Sequence, residues 1–289
     1  MKTIIFGASG QDGNFLSALL KEKGYKVIAV SRRDNYSETD ITDFDSVADL
    51  IKLSKPDYIF HLAANSTTNH NVLFENYATI TTGSLNILEA VYRNSPETKV
   101  FISGSGLQFR NENRPIKESD PFEARDAYSV SRIQSVYAAR YFRSLGIKTY
   151  VGYFFNHDSP IRTERHMSKK IAEAAKRISA GSNEKLLIGD MDAVKEYTYA
   201  GDTVKGIWAL INQDKITEAN ISSGKGYSVK DWVMQCFSLV NMNWQDYVVI
   251  DPDFTSNYMQ LVSDPSRIFS LGWKPEVSFE ELAQMMMQK

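Results

Sequence analysis

The N-terminal half of the chain alternates short runs of β-branched residues with longer amphipathic segments, and this alternation restricts the fold more than any other feature. The runs predict strands and the amphipathic segments predict helices. Strands are predicted at Thr3–Phe6, Lys26–Val30, Tyr58–Leu62, Val100–Ser103 and Thr149–Tyr153, and helices at Asn14–Lys23, Ser46–Leu53, Ile80–Arg93 and Ala127–Leu145. Strands separated by helices build a parallel sheet. The sequence therefore predicts an α/β fold with a doubly wound parallel sheet.

Beyond about residue 155 the alternation is less regular. Helices are predicted there at Met167–Ala180, Thr203–Asn212, Val229–Leu239 and Phe279–Met287, and strands at Lys185–Ile188 and Ala219–Ser222. No long Pro- or Gly-rich linker separates the two parts. We therefore predict a large domain over residues 1–155 and a smaller α/β region over residues 156–289 that packs on it, with the chain free to cross between them.

Charge and cysteine content restrict the partners and the compartment. A net charge of -2 and a pI of about 6.1 leave no cationic field for nucleic acid or an anionic membrane. The N-terminal apolar run is too short for a signal peptide, and no apolar stretch is long enough to span a membrane. The single cysteine, Cys236, forms no intramolecular disulfide. These features predict a cytoplasmic protein with no nucleic-acid or membrane partner; the histidines share no metal-ligand spacing, so no metal is predicted.

A glycine-rich loop, Gly7-Ala8-Ser9-Gly10-Gln11-Asp12-Gly13, lies between the first predicted strand and the first predicted helix. Such a loop lets the backbone approach a pyrophosphate, while the helix N-terminus offers free N–H groups and the positive end of its dipole. In a series of βαβ units the loop indicates a Rossmann dinucleotide site. The candidate ligands are Gly7, Gly10, Gln11, Asp12 and Gly13.

Two arginines at the end of the second strand bear on the choice of cofactor. An acidic side chain at this place binds the ribose 2′-OH of NAD, whereas arginine accommodates the 2′-phosphate of NADP. Arg32 and Arg33 therefore favour NADP(H), although a solvated basic turn would give the same pattern. Further cofactor contacts are expected next to the adenine and along the central part of the dinucleotide, from Asp40, Ile41, Leu62, Ala63 and Ala64.

A tyrosine and an arginine form the candidate catalytic pair. Tyr128 and Arg132 lie four residues apart on a predicted helix and so share one face. In a hydride-transfer site, such a tyrosine exchanges a proton with an alcohol or ketone, and a neighbouring cation hydrogen-bonds the nicotinamide ribose. Ser105, at the end of the preceding strand, is placed to contact the same oxygen.

Together these motifs resemble the extended short-chain dehydrogenases of the NAD-dependent epimerase/dehydratase family that modify sugar nucleotides. The sequence is most similar to the GDP-mannose 4,6-dehydratases and the GDP-4-keto-6-deoxyhexose reductases. Besides the glycine loop and the two arginines, the similarity rests on His61–Ala64, Ala127–Ser131, Asn156–Pro160, Gly189–Ala193 and Leu271–Glu276. The resemblance implies a GDP-linked sugar substrate, a homodimer paired through its two long helices, a cofactor contact from His157, and substrate contacts from Asn156, Lys170 and Lys195.

Two departures from the family pattern leave the reaction open. Gly106 stands where the family has the glutamate that acts as base during dehydration, and Arg132 replaces the family's lysine. Dehydration needs that base, whereas reduction at C4 needs only a proton donor and a hydride. We therefore favour a C4 reductase of a 4-keto-6-deoxy sugar, a hexose or a heptose. The alternatives are a 4,6-dehydratase and a protein that binds NADP(H) without turnover.

Overall fold

The computed structural model describes residues 1–32, 36–37, 39–254, 256 and 258–288. Its strands are β1 (Lys2–Phe6), β2 (Lys26–Val30), β3 (Tyr58–His61), β4 (Lys99–Ser105), β5 (Thr149–Phe154), β6 (His157–Asp158), β7 (Leu186–Ile188), β8 (Val194–Glu196), β9 (Thr198–Tyr199), β10 (Glu218–Ile221), β11 (Gly226–Ser228), β12 (Val248–Ile250) and β13 (Gln260–Leu261). Its helices are α1 (Gln11–Glu22), α2 (Phe44–Ser54), α3 (Leu73–Asn76), α4 (Gly83–Asn94), α5 (Ala127–Ser144), α6 (Met167–Ser179), α7 (Ala200–Ile211), α8 (Val229–Ser238), α9 (Ser266–Phe269) and α10 (Phe279–Met287).

The main sheet has six parallel strands in the order β10-β5-β4-β3-β1-β2. All five strands predicted in the N-terminal half lie in it, and the strand predicted at Ala219–Ser222 is its edge strand β10. Helices α2, α4 and α5 cover one face, and α1 and α7 cover the other. The predicted doubly wound parallel sheet is confirmed.

Successive residues of each strand contribute to opposite faces of this sheet. In β1, Ile4 belongs to the core under α2, α4 and α5, whereas Ile5 belongs to the core under α1 and α7. Both are fully buried. A sheet covered on both faces needs apolar residues at every strand position, which is why these strands appear in the sequence as continuous apolar runs.

Four helix starts differ from the prediction by two or three residues, those of α1, α2, α4 and α7, and two of these differences have a clear cause. Helix α1 begins at Gln11 rather than at Asn14, because Gly10 is its N-cap and the last residues of the glycine loop form the first helical turn. The helix predicted at Ile80–Arg93 is preceded by α3 and by a π-helical segment, Tyr77–Thr82, so α4 starts only at Gly83. The sequence before Ile80 is polar and shows no helical periodicity of apolar residues, so it does not predict the helical segments found there.

The C-terminal region has its own core, in which α6, α8 and α10 pack around Trp232. Its strands form small sheets with the order β11-β8-β13 and the pairs β7–β12 and β6–β9. Helix α7 packs on the main sheet and β10 pairs with β5, although both come after the predicted boundary at residue 155. No helix among the described residues is long and apolar enough to span a membrane.

Candidate active site

A cavity of about 580 Å³ lies at the carboxyl ends of the central strands, between the glycine loop, α5 and the C-terminal region. Ligands of open α/β sheets bind at this edge. Most of the predicted site residues line the cavity: Gly7, Gly10, Gln11, Asp12, Gly13, Leu62, Ala64, Ser105, Tyr128, Arg132, Asn156 and His157. The fold therefore brings the glycine loop, the residues after β3, the end of β4, the start of α5 and the start of β6 together in one site.

The glycine loop is built for close backbone packing. Gly7 has a φ of +88°, and a Cβ there would lie 2.6 Å from the backbone nitrogen of Ala63. Ala63 thus holds the loop through its backbone and does not line the cavity. A Cβ on Gly13 would lie 2.3 Å from the carbonyl oxygen of Gly7. No side chain caps α1 at Gly10, so the N–H groups of its first turn are available to an anionic ligand.

The candidate catalytic pair lies on successive turns near the start of α5. The carboxylate of Asp126 accepts hydrogen bonds from the backbone N–H groups of Tyr128 and Ser129, at 2.9 and 2.8 Å, which fixes where the helix begins. The guanidinium of Arg132 lies 5.0 Å from the centre of the Tyr128 ring. Arg132 is only 3% exposed and forms no ion pair with any described carboxylate. A buried cation without a counter-ion suits a cavity that receives an anionic or strongly polar ligand.

The end of β4 supplies a hydroxyl but no carboxylate. Ser105 lines the cavity, and its Oγ accepts a 3.2 Å hydrogen bond from the N–H of Leu107. The next residue, Gly106, has no side chain, and a Cβ there would lie 2.7 Å from the ring of Phe155. Among the described residues that line the cavity, Asp12 is the only carboxylate.

Asp12 is paired with His157. Its Oδ1 lies 2.9 Å from Nε2 of His157, whose Nδ1 lies 2.8 Å from the carbonyl oxygen of Phe155. A carbonyl and an ionised carboxylate only accept, so the doubly protonated imidazolium satisfies both contacts. Burial lowers the pKa of His157, but the charge of Asp12, its hydrogen bond and the hydrogen bond to Phe155 together outweigh burial and raise the pKa. For Asp12, burial raises the pKa, but the interactions with His157 and Arg162 outweigh burial and lower it. Neither group is therefore available as a base.

Arg162 organises the opposite side of the cavity and was not among the predicted site residues. It donates to the carbonyl oxygen of His157 at 2.6 Å, and its Nε lies 3.2 Å from Oδ1 of Asp158. Its Nη2 lies 3.1 Å from Nδ1 of His166. Burial and the charge of Arg162 lower the pKa of His166 to about 4, so this histidine is neutral and accepts the bond. Arg165 also lines this side, which is therefore basic.

Of the residues predicted for the adenosine end, Arg32, Asp40 and Ile41 lie outside the cavity lining. Arg32 is exposed, and its Nη2 lies 3.3 Å from Oε1 of Glu75. Asp40 accepts hydrogen bonds from the N–H and the hydroxyl of Thr42, at 2.9 and 2.8 Å. Ile41 packs against Gly83. The prediction for Arg33 falls outside the described residues. The roles of all four stay predictions.

The two lysines predicted for the substrate are also placed outside the cavity lining. The ammonium of Lys170 donates to the carbonyl oxygen of Leu187 at 2.9 Å, on the side of α6 that faces β7. Lys195 is buried, with its ammonium 5.2 Å from the centre of the Tyr197 ring. Burial, only partly offset by Asp158, lowers the pKa of Lys195 to about 8. Their substrate contacts stay predictions as well.

Sequence reasoning missed several lining residues because no local motif marks them. They come from the segment after β3, the turn after β4 and the C-terminal region: Ser66, Thr67, Thr68, Leu107, Tyr258 and Leu261. Tyr258 also borders two neighbouring cavities of about 430 and 270 Å³. It reaches the site only through the pairing of β13 with β8, which sequence spacing does not reveal.

Comparison with known proteins places this site in a family. Residues 4–286 match the family described as GDP-mannose 4,6 dehydratase. GDP-mannose 4,6 dehydratase 2 of Arabidopsis thaliana is 31% identical over 319 residues, which cover 99% of this chain and 86% of that protein. The chain belongs to the GDP-mannose 4,6-dehydratase family. Another member of the family, GDP-mannose 4,6-dehydratase of Yersinia enterocolitica, is 28% identical over 343 residues, covering 99% of this chain and 92% of that protein.

Solved structures agree with the fold of this family. RMD from Pseudomonas aeruginosa, complexed with NADPH, superposes with a TM-score of 0.88 at 20% identity, over 99% of this chain and 97% of that one. The UDP-glucose 4-epimerase of Thermus thermophilus, complexed with NAD, gives 0.84 at 20% identity, over 99% and 98%. This likeness shows the Rossmann fold of the extended short-chain dehydrogenases. As a family member the chain is an enzyme of nucleotide-sugar chemistry, of the type that uses a nicotinamide cofactor.

Proposed function

We propose that the chain is an NADP(H)-dependent reductase acting at C4 of a GDP-linked 4-keto-6-deoxy sugar, a hexose or a heptose. One observation carries this proposal: the cavity contains Tyr128, Ser105 and Arg132, but its only described carboxylate, Asp12, is bound to His157. Reduction of a ketone needs a proton donor and a hydride. Dehydration additionally needs a base that removes the proton at C5.

Each residue then has a defined task. The hydroxyl of Tyr128 donates a proton to the sugar oxygen at C4, and Ser105 hydrogen-bonds the same oxygen. The cation of Arg132 favours the charge that develops there. Oδ1 of Asn156 is buried at the cavity without a described partner, and it accepts a hydrogen bond from a sugar hydroxyl. The first turn of α1 binds the pyrophosphate of the cofactor, which supplies the hydride when bound.

A second candidate is the 4,6-dehydration of GDP-mannose. The family match favours it, because the curated relatives carry that name. Position 106 opposes it, since glycine has no side chain to act as base. A dehydratase would need a carboxylate brought to the site by a conformational change.

The deciding experiment compares two substrates on the purified enzyme. NADPH absorbance is followed with GDP-4-keto-6-deoxymannose, and the products formed from GDP-mannose are analysed in parallel. We expect NADPH oxidation by the keto sugar and no product from GDP-mannose. A 4-keto product without net NADPH consumption would establish the dehydratase instead. NADPH binding without turnover in either assay would favour a non-catalytic binding protein.

Position 106 offers a direct test of the missing base. G106E adds a carboxylate and G106Q is its matched neutral control, and in both variants the ring of Phe155 must shift to admit the side chain. We expect G106E alone to form measurable 4-keto product from GDP-mannose. If both variants, or the unmodified enzyme, formed it equally, the carboxylate at this position would be irrelevant to the reaction.

A further inference from the structure

Among the described residues, the guanidinium of Arg132 forms hydrogen bonds only with Ser103. This serine lies on β4, two residues before Ser105, and is 1% exposed. Nη1 of Arg132 donates to the carbonyl oxygen of Ser103 at 2.5 Å and to its Oγ at 2.7 Å. One residue thus binds one amino group twice.

The direction of the serine hydroxyl is fixed from its other side. Ser103 Oγ donates its proton to the carbonyl oxygen of His61 at 2.8 Å, so its lone pairs face the guanidinium. Burial, followed by the charge of Arg132, lowers the pKa of His61 to about 3. His61 is therefore neutral and neither repels nor pairs with the arginine. Among the described residues, Ser103 alone accepts hydrogen bonds from the guanidinium of Arg132.

This anchoring decides which part of the guanidinium meets a ligand. Nη1 is occupied by Ser103, and Nε is buried without a described partner. Nη2 makes no hydrogen bond to a described residue, and Arg132 lines the cavity. A free arginine offers five N–H donors in a fork, whereas this one presents a single amino group, as a lysine does.

We propose that Ser103 is a positioning residue, which orients Arg132 so that an arginine serves as the cation of the active site. This inference rests on the proposed function, in which Arg132 acts next to Tyr128, and on the predicted contact of Arg132 with the nicotinamide ribose. Without the Ser103 hydroxyl the guanidinium keeps its charge but loses its fixed direction. The expected consequence is weaker cofactor binding and slower hydride transfer, with little change in the KM for the sugar nucleotide.

A double-mutant cycle tests the proposal with S103A, R132M and the double variant. Methionine at position 132 retains an unbranched stem and removes the guanidinium. The measurements are the dissociation constant of NADPH, from nicotinamide fluorescence, and the rate of NADPH oxidation with GDP-4-keto-6-deoxymannose. We expect S103A to raise the dissociation constant about fivefold and to lower kcat about tenfold, but to have less than a twofold effect in the R132M background, because coupled residues are non-additive.

A control variant separates positioning from packing. Ser131 is a buried serine on α5 whose hydroxyl bonds only a helix carbonyl, that of Ala127, at 3.0 Å. We expect S131A to leave both readouts within twofold. Equal effects of S103A in the presence and absence of Arg132 would overturn the proposal. If the enzyme binds NADPH but does not oxidise it with this sugar, the proposed reaction fails, while the binding cycle still tests Ser103.

Discussion

At the scale of single residues, the site depends on the first two turns of α5, which other residues hold at both ends. Asp126 fixes the start of α5 and Ser103 fixes the end of the Arg132 side chain. The phenol of Tyr128 therefore stands beside a cation whose direction is set before any ligand arrives. Such preorganisation is where electrostatic catalysis gains most of its effect.

Removing the phenol hydroxyl should separate chemistry from binding. We expect Tyr128→Phe to lower turnover by about 100-fold or more, the scale of a lost acid–base group. The dissociation constant of NADPH should stay within about twofold, because the ring that packs beside Arg132 remains. Steady-state kinetics and a fluorescence titration check this. Undiminished turnover would remove Tyr128 from the mechanism.

Arg32 is predicted to make the protein prefer NADPH to NADH. Its exposed guanidinium already lies 3.3 Å from Glu75, and an exposed pair of this kind exchanges partners at little cost. We expect R32A to weaken NADPH binding by about tenfold while leaving NADH unchanged, since only NADPH carries the 2′-phosphate. R93A, at an exposed arginine paired with Glu89, is the control. Parallel losses for both nucleotides would refute the assignment.

Sequence reasoning found site residues that lie close together in the chain and missed residues that only tertiary structure brings together. The glycine loop was recognisable because its function needs residues that are adjacent in the chain. Tyr128 and Arg132 were recognisable because a helix places residues four apart on one face. Tyr258 was missed because only tertiary packing brings it to the cavity. Lys170 was named from a motif match, which does not report the direction of its side chain toward β7, and its substrate contact stays a prediction.

At the scale of elements, the pair formed by Asp12 and His157 joins α1 to β6 and should make stability depend on pH. The raised pKa of His157 means that its contribution is complete below its ordinary pKa of 6.5 and is lost as pH rises through the folded value. The lowered pKa of Asp12 means that its contribution is lost only in acid, below its ordinary value of 3.8. The pair is thus strongest between these limits.

Replacing the histidine should reveal this window. We expect H157Q to lower the melting temperature by a few degrees at about pH 6 and by clearly less at about pH 9.5. His166 provides the control, because its lowered pKa keeps it neutral at both values. H166Q should therefore show no such difference between the two conditions. A constant loss for H157Q would mean that the imidazolium is absent.

A second link between elements ties α5 to the edge of the main sheet. Glu218 of β10 bonds Arg140, Arg143 and the hydroxyl of Tyr153, and it is 8% exposed. Burial opposes the effect of the two arginines, which together lower its pKa to about 2. We expect E218Q to cost about 2 kcal/mol in the free energy of unfolding, because it leaves two half-buried cations without their counter-ion. Chemical denaturation checks this, with E97Q in an exposed ion pair as control.

At the scale of the whole molecule, the outer surfaces of α4 and α5 carry large apolar side chains. Leu85, Tyr92, Tyr137, Tyr141 and Leu145 are each more than 40% exposed. Exposed apolar patches of this kind are typical of protein interaction surfaces. We propose that this patch pairs with the same patch of a second copy, as the family resemblance implies.

Sedimentation tests this assembly. The unmodified chain should sediment at twice its mass of 32.7 kDa, and the double variant Y137E/Y141E at the mass of one chain. L53E, at an exposed leucine of α2, should remain dimeric. A monomeric unmodified protein would contradict the proposal.

The packing of α7 on the main sheet, and the pairing of β10 at its edge, bear on how the chain folds during synthesis. Ile5, Phe60 and Phe101 share a core with Val204 and other residues of α7, which the ribosome makes only after some 45 further residues beyond β5. At about 5–20 residues per second, α7 is made several seconds after β5, and the residues of the earlier strands remain without α7 for longer. The nascent chain therefore passes through an interval in which the part of the sheet that α7 later covers is open to chaperones and to self-association.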